Sequence, residues 1–245
     1  DDNRHFAFDP DSFDGTRHQT IFAGTHSEGI VKSTNGGESW ARVVTATVLD
    51  RMRIVSIDLH KTGSRTILYV VAHNSNNNGV DASANNLYKI VESDGIVTSQ
   101  TLPVHPEDYP RTIAVVSAGI PSNDIIYAAT GVHKVYKSTD GGETFIEKSS
   151  GLTQSKEHFF IAVSPADPNY LYVRVHQTLV NVYYSHDGGD TWEASSSLDV
   201  DDSINIEPGR AGWHAKTGFA PHPTAKNIAL VKDGDSRLVR TTDGG

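Results

Sequence analysis

The chain of 245 residues has no cysteine and no long apolar run. Without thiols it can form neither disulfides nor thiolate metal sites, and it cannot use a cysteine nucleophile. No stretch approaches the roughly 18 apolar residues that a membrane-spanning helix needs, and the mean hydropathy is -0.39. We therefore predict no disulfide and no membrane insertion.

Positive charge is scarce as well. Lysine and arginine number 21 against 30 aspartates and glutamates, which gives a formal net charge of -9. Nucleic acids and anionic membrane surfaces are bound through a basic face that displaces their counterions. The composition therefore disfavours a nucleic-acid partner and leaves neutral or cationic partners open.

The familiar motifs of metal and cofactor chemistry are missing too. The 12 histidines show no metal-ligand spacing, and no His-Glu-x-x-His segment occurs. A Gly-x-Ser-x-Gly elbow, a Walker loop and a dinucleotide fingerprint are also absent, and the glycines belong to predicted turns. We predict no metal site and no cofactor.

What the sequence does contain is a repeated octet. Ser-Thr-Asn-Gly-Gly-Glu-Ser-Trp begins at Ser33, Ser-Thr-Asp-Gly-Gly-Glu-Thr-Phe at Ser138 and Ser-His-Asp-Gly-Gly-Asp-Thr-Trp at Ser185, and a partial copy begins at Thr241. The gap between the first two copies is about twice the others, and residues 87–95 hold a degenerate copy within it. The spacing therefore predicts five repeated units.

Each unit reads as four short strands of alternating apolar residues, separated by turns rich in Gly, Asn, Asp and Pro. A four-stranded sheet of about 40 to 55 residues cannot bury its faces without neighbours on both sides. We predict an all-β fold, a β-propeller of four-stranded antiparallel blades, about five in this chain, the last incomplete. The strands of a blade are named a to d from the innermost outward. The expected blades are 1–50, 51–110, 111–155, 156–215 and 216–245, and their innermost strands are expected to begin near His5, Ile54, Thr112, Phe159 and Gly218.

The pattern Ser-x-Asp-x-Gly-x-Thr-Trp is similar to the Asp box of the BNR-repeat families, and the likeness extends over the whole chain. These families include sialidases, family 74 xyloglucanases, sortilin-type receptors and a photosystem assembly factor. The octet is expected to form the c–d turn: its third side chain bonds turn amides, its glycines take positive φ, and its eighth aromatic residue packs between sheets. The expected structural residues are Ser33, Asn35, Trp40, Ser138, Asp140, Phe145, Ser185, Asp187, Trp192 and Asp243.

If the octets occupy one end of the blades, the b–c loops and d–a connections occupy the other, and function is sought there. Three long segments qualify, 73–86, 103–111 and 195–216. In the last one Trp213 is the only tryptophan outside an octet, and an aromatic face beside carboxylates resembles a sugar subsite. The candidate catalytic residues are Asp199, Asp201, Asp202 and Glu207, and the candidate substrate-binding residues are Arg210, Trp213 and His214. In the alternative interpretation Trp213 packs beneath its loop and the acids face water.

A second pattern lies at the starts of the innermost strands. Alignment of the first two strands a places Arg4 and Arg53 at equivalent positions, and Arg111 falls within about one residue of the same place. Sialidases hold a substrate carboxylate with three arginines, because guanidinium groups bind carboxylates bidentately. Arg53, Arg111 and Tyr109 are therefore further substrate-binding candidates, and the alternative is that the arginines are ordinary solvated residues.

Residues 6–40 resemble a blade of the family 74 xyloglucanases, including the insertion between strands a and b. This resemblance implies a glycoside hydrolase, or a piece of one, that acts on polysaccharide or oligosaccharide through paired carboxylates, in an extracellular or periplasmic location. No catalytic residue carries over, because neither aspartate of that family matches a motif here. A sialidase is the weaker enzyme hypothesis, since residues 1–32 lack its Phe/Tyr-Arg-Ile-Pro segment. The alternative is a non-enzymatic Asp-box propeller that binds a protein or a glycan, as sortilin-type receptors do.

The last octet stops at Gly245, its fifth residue. Strand d of the fifth blade would then be missing, and the backbone edge of strand c would be left unpaired. We therefore expect the parent protein to continue beyond Gly245.

Overall fold

A computed structural model describes the following residues: 5–43, 49, 52–62, 65–74, 87–92, 96–100, 110–116, 123–131, 134–152, 159–175, 182–195, 219–232 and 238–244. These residues form short β-strands and turns, with one 3₁₀ turn at Pro10–Ser12. The predicted all-β class is confirmed for this part of the chain.

The strands form five sheets. The first contains β1 (Phe6–Phe8), β2 (Ile21–Gly24), β3 (Ile30–Ser33) and β4 (Ala41–Arg42). The second contains β5 (Met52–Thr62), β6 (Arg65–Asn74), β7 (Leu87–Val91) and β8 (Ile96–Gln100). The third contains β9 (Pro110–Val116), β10 (Ile125–Thr130), β11 (Val135–Ser138) and β12 (Ile146–Glu147). The fourth contains β13 (Phe159–Ser164), β14 (Asp167–Val175), β15 (Val182–Ser185) and β16 (Glu193–Ala194), and the fifth contains β17 (Phe219–Pro221), β18 (Ala229–Lys232) and β19 (Leu238–Thr241).

In every sheet the strand order follows the chain order. The pairings are antiparallel, as the alternating patterns predict. The innermost strands begin at Phe6, Met52, Pro110, Phe159 and Phe219, each within two residues of its predicted start. The degenerate copy covers β7 and precedes β8, so it falls at the end of strand c, as the repeat spacing indicates. Two predicted loops are shorter than expected, because β6 continues through Asn74 and β9 already begins at Pro110.

The chain divides into two compact units. The first contains residues 3–126 and 138–145, and the second contains 127–137 and 146–245. The boundary runs through the third sheet, so the first unit holds the first and second sheets together with β9 and the octet that begins at Ser138. The second unit holds the fourth and fifth sheets together with β12.

The core of the first unit lies between its first two sheets. Small and β-branched side chains from strands a and b interlock there: a Cβ at Gly24 would overlap the side chain of Ile54, so this position needs a glycine. The tyrosine ring of Tyr88 closes the cluster from strand c. Its members are Ala7, Phe22, Ile30, Leu49, Ile54, Ile57, Leu68, Val70, Ala72, Tyr88 and Ile90.

The register of the first sheet defines its two ends. Phe8 pairs with Ile21, and Ile21 pairs with Ser33, where the octet begins. At the other end the amide of Gly24 donates to the carbonyl of His5 at 2.8 Å. The octet and the start of strand a therefore lie at opposite ends of the sheet, as the sequence predicted.

Candidate functional site

The two complete octets that contain aspartate form closed hydrogen-bonded turns. Asp140 Oδ1 accepts from the Thr144 amide at 2.9 Å, and Asp140 Oδ2 accepts from the Thr144 hydroxyl at 2.5 Å. The Ser138 hydroxyl donates to Asp140 Oδ1 at 2.7 Å and accepts from the Gly142 amide at 2.9 Å. The octet of Asp187 repeats all four bonds at the equivalent positions. Both carboxylates are therefore committed to their own turns.

These bonds change the acidity of the two carboxyls. Burial is the largest single influence on Asp140 and Asp187 and would by itself raise their pKa, but the combined hydrogen bonds from Thr144 or Thr191 and the neighbouring groups outweigh it. The result is a pKa of about 2 for each carboxyl, against an ordinary value of 3.8. Both groups are ionised near neutral pH and are poorly suited to act as general acids.

The first octet shows that the turn does not require a charge. Asn35 Oδ1 accepts from the Ser39 amide at 2.9 Å and from the Ser33 hydroxyl at 2.9 Å. Asn35 Nδ2 donates to the Ser39 hydroxyl at 2.9 Å. An amide thus makes the same turn as a carboxylate, which indicates that the octet acts through geometry.

Replacing Asp187 by Ala should lower the free energy of unfolding by about 1–3 kcal/mol, because the Thr191 amide and hydroxyl lose their acceptor. Asp190 lies three residues away and pairs with Lys148 at an exposed position, so Asp190→Ala should cost less than about 1 kcal/mol. Urea unfolding followed by circular dichroism measures both losses. A loss of ligand binding without a loss of stability in Asp187→Ala would show that the octet is part of the site.

The Asp187 contribution should also depend on pH. Since the folded-state pKa lies near 2 and the ordinary value is 3.8, the stabilisation is fully present above about pH 4 and is lost as the pH falls towards 2. The gap in stability between the wild-type chain and Asp187→Ala should therefore narrow over that range, and a gap unchanged down to pH 2 would contradict the assignment.

The opposite end of the first unit brings together basic side chains. Arg53 pairs in register with His73 across β5 and β6, and the His5 ring Nδ1 lies 3.1 Å from the carbonyl oxygen of Ile54. Burial is the main cause that lowers the pKa of His5, and the charge of Arg53 lowers it further, against the opposing effect of the backbone hydrogen bond. The lowered pKa favours the neutral form of His5 near pH 7.

Most of the candidate site residues lie outside the described residues. Arg53 is in β5, and the backbone of Arg111 is in β9. Ser195, the first residue of the 195–216 segment, is buried, and its amide donates to the carbonyl of Val182 at 2.9 Å. Residues 196–218 connect β16 to β17 and are thus a d–a connection. Outside the described residues lie Arg4, Tyr109, Asp199, Asp201, Asp202, Glu207, Arg210, Trp213 and His214.

Sequence reasoning missed a buried polar cluster in the first unit. The imidazole of His60, at the end of strand a, donates from Nδ1 to Asp124 Oδ1 at 2.5 Å, and both side chains are fully buried. The Tyr69 hydroxyl donates to Asp124 Oδ2 at 3.0 Å. Asp124 stands in a stretch that reads as a polar turn, so its burial had no signal in the sequence. Because these side chains have no access to solvent, we assign the cluster a role in stability and not in ligand binding.

A second missed feature repeats from sheet to sheet. An aromatic residue of strand b and a lysine of strand c lie together, with the ammonium over the ring: Lys32 over Phe22, Lys89 over Tyr69 and Lys137 over Tyr127. We call these aromatic–lysine pairs. Lys32 and Lys137 directly precede octets, and Lys89 occupies the equivalent position within the degenerate copy. That recurrence was the available signal.

Two of the aromatic–lysine pairs bind the octet of the next sheet, and the third lysine, Lys32, bonds Glu92 at 2.9 Å. Lys89 donates to the carbonyl of Gly141 at 3.0 Å, and Lys137 donates to the carbonyl of Gly188 at 3.3 Å. Gly141 and Gly188 are the fourth residues of their octets. In the fourth sheet a tyrosine replaces the lysine, and His186 lies 3.1 Å from the carbonyl of Gly244 instead. The octet is therefore a docking point for the preceding sheet as well as a turn.

The expectation that all three octet aromatics pack between sheets is wrong for Trp40. Trp192 is 4% exposed and its indole donates to the Lys148 carbonyl, just beyond β12, at 2.8 Å, whereas Trp40 is 41% exposed. The Trp40 indole donates within its own turn, to the carbonyl of Gly37. The physical reason is that no sheet precedes the first one among the described residues. Phe145 is buried as predicted.

A family model for the BNR/Asp-box repeat matches residues 183–194, which contain the octet of Asp187. No curated protein matches the chain. Among solved structures, a GH74 enzyme of Niastella koreensis is similar at 18% identity and a TM-score of 0.64, over 99% of this chain and 36% of that one. YCF48 from Cyanidioschyzon merolae is similar at 14% identity and 0.56, over 91% and 66%. The α-L-arabinofuranosidase Arb93A from Fusarium graminearum, solved with an iminosugar inhibitor, is similar at 12% and 0.55, over 91% and 70%.

At these identities the likeness shows the fold: the chain consists of antiparallel blades of the β-propeller class and carries Asp-box repeats. The predicted resemblance to Asp-box propellers, with GH74 structures among the similar ones, is confirmed. The chain spans about a third of the length of the GH74 enzyme that it matches. No helix in the described part of the chain is both long and apolar enough to cross a membrane.

Proposed function

We propose that this chain belongs to a carbohydrate-active β-propeller, a glycoside hydrolase that acts on polysaccharide outside the cell through a pair of carboxylates. Two kinds of sugar-processing enzyme, a GH74 enzyme and an arabinofuranosidase, share its fold. The proposed substrate is a xyloglucan-like glucan or an oligosaccharide derived from it. Shared fold alone does not specify chemistry, so the support must come from the residues.

The proposal rests on a contrast between the octets and one connection between blades. The carboxylates of Asp140 and Asp187 are ionised and engaged in their turns. The d–a connection 196–218 instead combines a tryptophan with four acids, an arginine and a histidine. Loops at one end of a rigid β-scaffold are the usual place for binding and catalytic residues.

In this proposal Trp213 supplies the stacking face for a pyranose ring, and Arg210 and His214 hydrogen-bond its hydroxyls. Two of Asp199, Asp201, Asp202 and Glu207 serve as the acid and its partner, and the pair is identified by replacing each in turn with its amide. Arg53, Arg111 and Tyr109, all in the first unit, are a separate set of proposed substrate-binding residues. A separation of about 5–5.5 Å between the two carboxyls would predict retention of anomeric configuration, and about 6.5–9.5 Å would predict inversion.

Replacing Trp213 by Ala should weaken binding of xyloglucan oligosaccharides about 2- to 12-fold, since one stacked aromatic contributes roughly 0.5–1.5 kcal/mol beyond its burial. Isothermal titration calorimetry measures the loss, and the melting temperature should stay unchanged. Trp40→Ala is the matched control, because Trp40 is an exposed tryptophan of an octet, and it should bind like the wild-type chain. A lower melting temperature with unchanged binding would make Trp213 a core residue and remove the proposed site.

The alternative is a non-enzymatic propeller that binds a protein or a glycan. The four amide substitutions also distinguish the hydrolase from the binding module. Release of reducing sugar from xyloglucan supports the hydrolase. Tight oligosaccharide binding without hydrolysis, unchanged in all four variants, supports a binding module.

A further inference from the structure

The first octet differs from the other two complete octets at its third residue. Asn35 stands where they have Asp140 and Asp187, and Gly36 follows it directly. An asparagine that precedes glycine is chemically labile, because glycine has no side chain to hinder attack by its own backbone nitrogen. The first octet therefore has a reactive sequence at a position where the other octets already have the hydrolysed form, aspartate.

The reaction that this sequence favours is deamidation. The Gly36 nitrogen loses its proton to a solvent base and attacks Cγ of Asn35, and Nδ2 leaves as ammonia, which closes a five-membered succinimide ring. One water molecule then opens the ring. Opening at one carbonyl gives aspartate, and opening at the other gives isoaspartate, in which the main chain runs through the side-chain carbon. The net change is one water consumed and one ammonia released, without any other reactant.

The folded turn holds the nucleophile of this reaction. The amide of Gly36 donates to the carbonyl of Gln19 at 2.9 Å, so the proton that must leave is in a hydrogen bond. The Arg17 side chain lies against the same residue, because a Cβ placed on Gly36 would come within 2.6 Å of Arg17 Nε. Glu38 binds the Arg17 guanidinium at 2.8 Å. The Gly36 nitrogen is therefore both bonded and covered.

The folded turn also holds the group that would be attacked. Asn35 Oδ1 accepts from the Ser39 amide and from the Ser33 hydroxyl, each at 2.9 Å. Asn35 Nδ2 donates to the Ser39 hydroxyl at 2.9 Å, a bond that is lost when ammonia leaves. The Ser33 hydroxyl in turn accepts from the Gly37 amide at 2.8 Å. Deamidation therefore requires these bonds to open together.

One of the two products fits the same turn. Asp140 and Asp187 accept from the amide and the hydroxyl of the residue four positions later. An aspartate at position 35 can do the same once the Ser39 hydroxyl rotates to donate. Isoaspartate adds one carbon to the main chain after position 35, so it changes the spacing on which these bonds depend.

We propose that Asn35 is a deamidation site that is controlled by opening of the first octet. The folded turn blocks the reaction and the open turn permits it. Of the two products, aspartate re-forms the turn in its charged form and isoaspartate does not. The extent of deamidation at Asn35 therefore reports how often the first octet opens.

Peptide mapping by mass spectrometry during incubation at mildly alkaline pH tests the proposal. Asn35 should react at least about tenfold more slowly in the folded chain than in a synthetic peptide of residues 31–42, because reaction must wait for local opening. In urea the chain should react as fast as the peptide. Asn78 also precedes a glycine, so it is the internal control in urea. Equal rates in the folded chain and the peptide overturn the proposal.

A pair of serine variants tests whether the octet itself is the barrier. Ser33→Ala removes the hydroxyl that bonds Asn35 and Gly37, so Asn35 should react roughly 2- to 12-fold faster, the effect of one net hydrogen bond on the opening equilibrium. Ser185→Ala is the matched control, because Ser185 makes the same bonds in the octet of Asp187, and the Asn35 rate should stay unchanged. Equal acceleration by both variants overturns the proposal, and so does an unchanged rate in Ser33→Ala.

The aspartate product is tested with Asn35→Asp. This variant should keep the melting temperature of the wild-type chain, because the charged octets show that the turn accepts a carboxylate. Chains that contain isoaspartate, separated by ion exchange after the incubation in urea, should melt at a lower temperature. A lower melting temperature in Asn35→Asp would overturn the assignment of aspartate as the product that re-forms the turn.

Discussion

Replacing Asp124 by Ala should lower the free energy of unfolding by about 2–6 kcal/mol, because it removes the acceptor of two buried hydrogen-bond donors, at about 1–3 kcal/mol each. Asp124 accepts hydrogen bonds from the fully buried imidazole of His60 and from the Tyr69 hydroxyl. Neither donor can turn to water in the variant. Urea unfolding followed by circular dichroism measures the loss.

Asp167→Ala is the matched control. The Asp167 carboxylate also pairs with a basic side chain, Lys226 at 3.3 Å, but at an exposed position, so its loss should cost about 1 kcal/mol or less. Equal losses in the two variants would contradict the assignment of Asp124 as a buried residue that stabilises the first unit.

A double-mutant cycle distinguishes the cluster from a general packing effect. Tyr69→Phe keeps the ring and removes only the hydroxyl that bonds Asp124. If the three residues act together, the losses from Tyr69→Phe and Asp124→Ala should differ from additivity by about 0.5–3 kcal/mol. Strictly additive losses would show that Tyr69 and Asp124 stabilise the unit independently.

Replacing Trp192 by Ala should lower the free energy of unfolding by about 3–5 kcal/mol, whereas Trp40→Ala should cost about 0.5 kcal/mol or less. Both residues are the eighth of their octets. Trp192 is buried and donates to the carbonyl of Lys148, while Trp40 is exposed and bonds only within its own turn. Burial, not the octet position, therefore sets the size of the effect.

Urea unfolding followed by circular dichroism measures both losses. Similar losses in the two variants would show that the octet aromatic acts within its own turn. Trp192→Phe keeps an aromatic ring but has no indole donor. It should therefore be more stable than Trp192→Ala, because the ring still packs, and less stable than the wild-type chain, because the hydrogen bond to Lys148 is lost.

The repeat could be predicted well because it depends on local chemistry. The octet bonds join residues two and four apart, such as Ser138 to Asp140 and the Thr144 amide to Asp140. Alternating apolar residues set the strands, and the starts of all five innermost strands were predicted within two residues. The candidate site was harder to predict from the sequence. The segment from Asp199 to His214 is rich in acidic residues and contains a tryptophan, but it has no repeat and no motif.

The sequence by itself determined the strands, the turns between them and the number of repeated units, since hydrogen bonds between near neighbours and two-residue alternation are encoded locally. Tertiary structure alone decided which polar residues are buried and which aromatic residues are exposed. His60 and Asp124 lie 64 positions apart, and only the packing of successive blades brings them together and excludes water. Trp40 and Trp192 occupy the same octet position, yet only Trp192 is buried, because a preceding blade covers it.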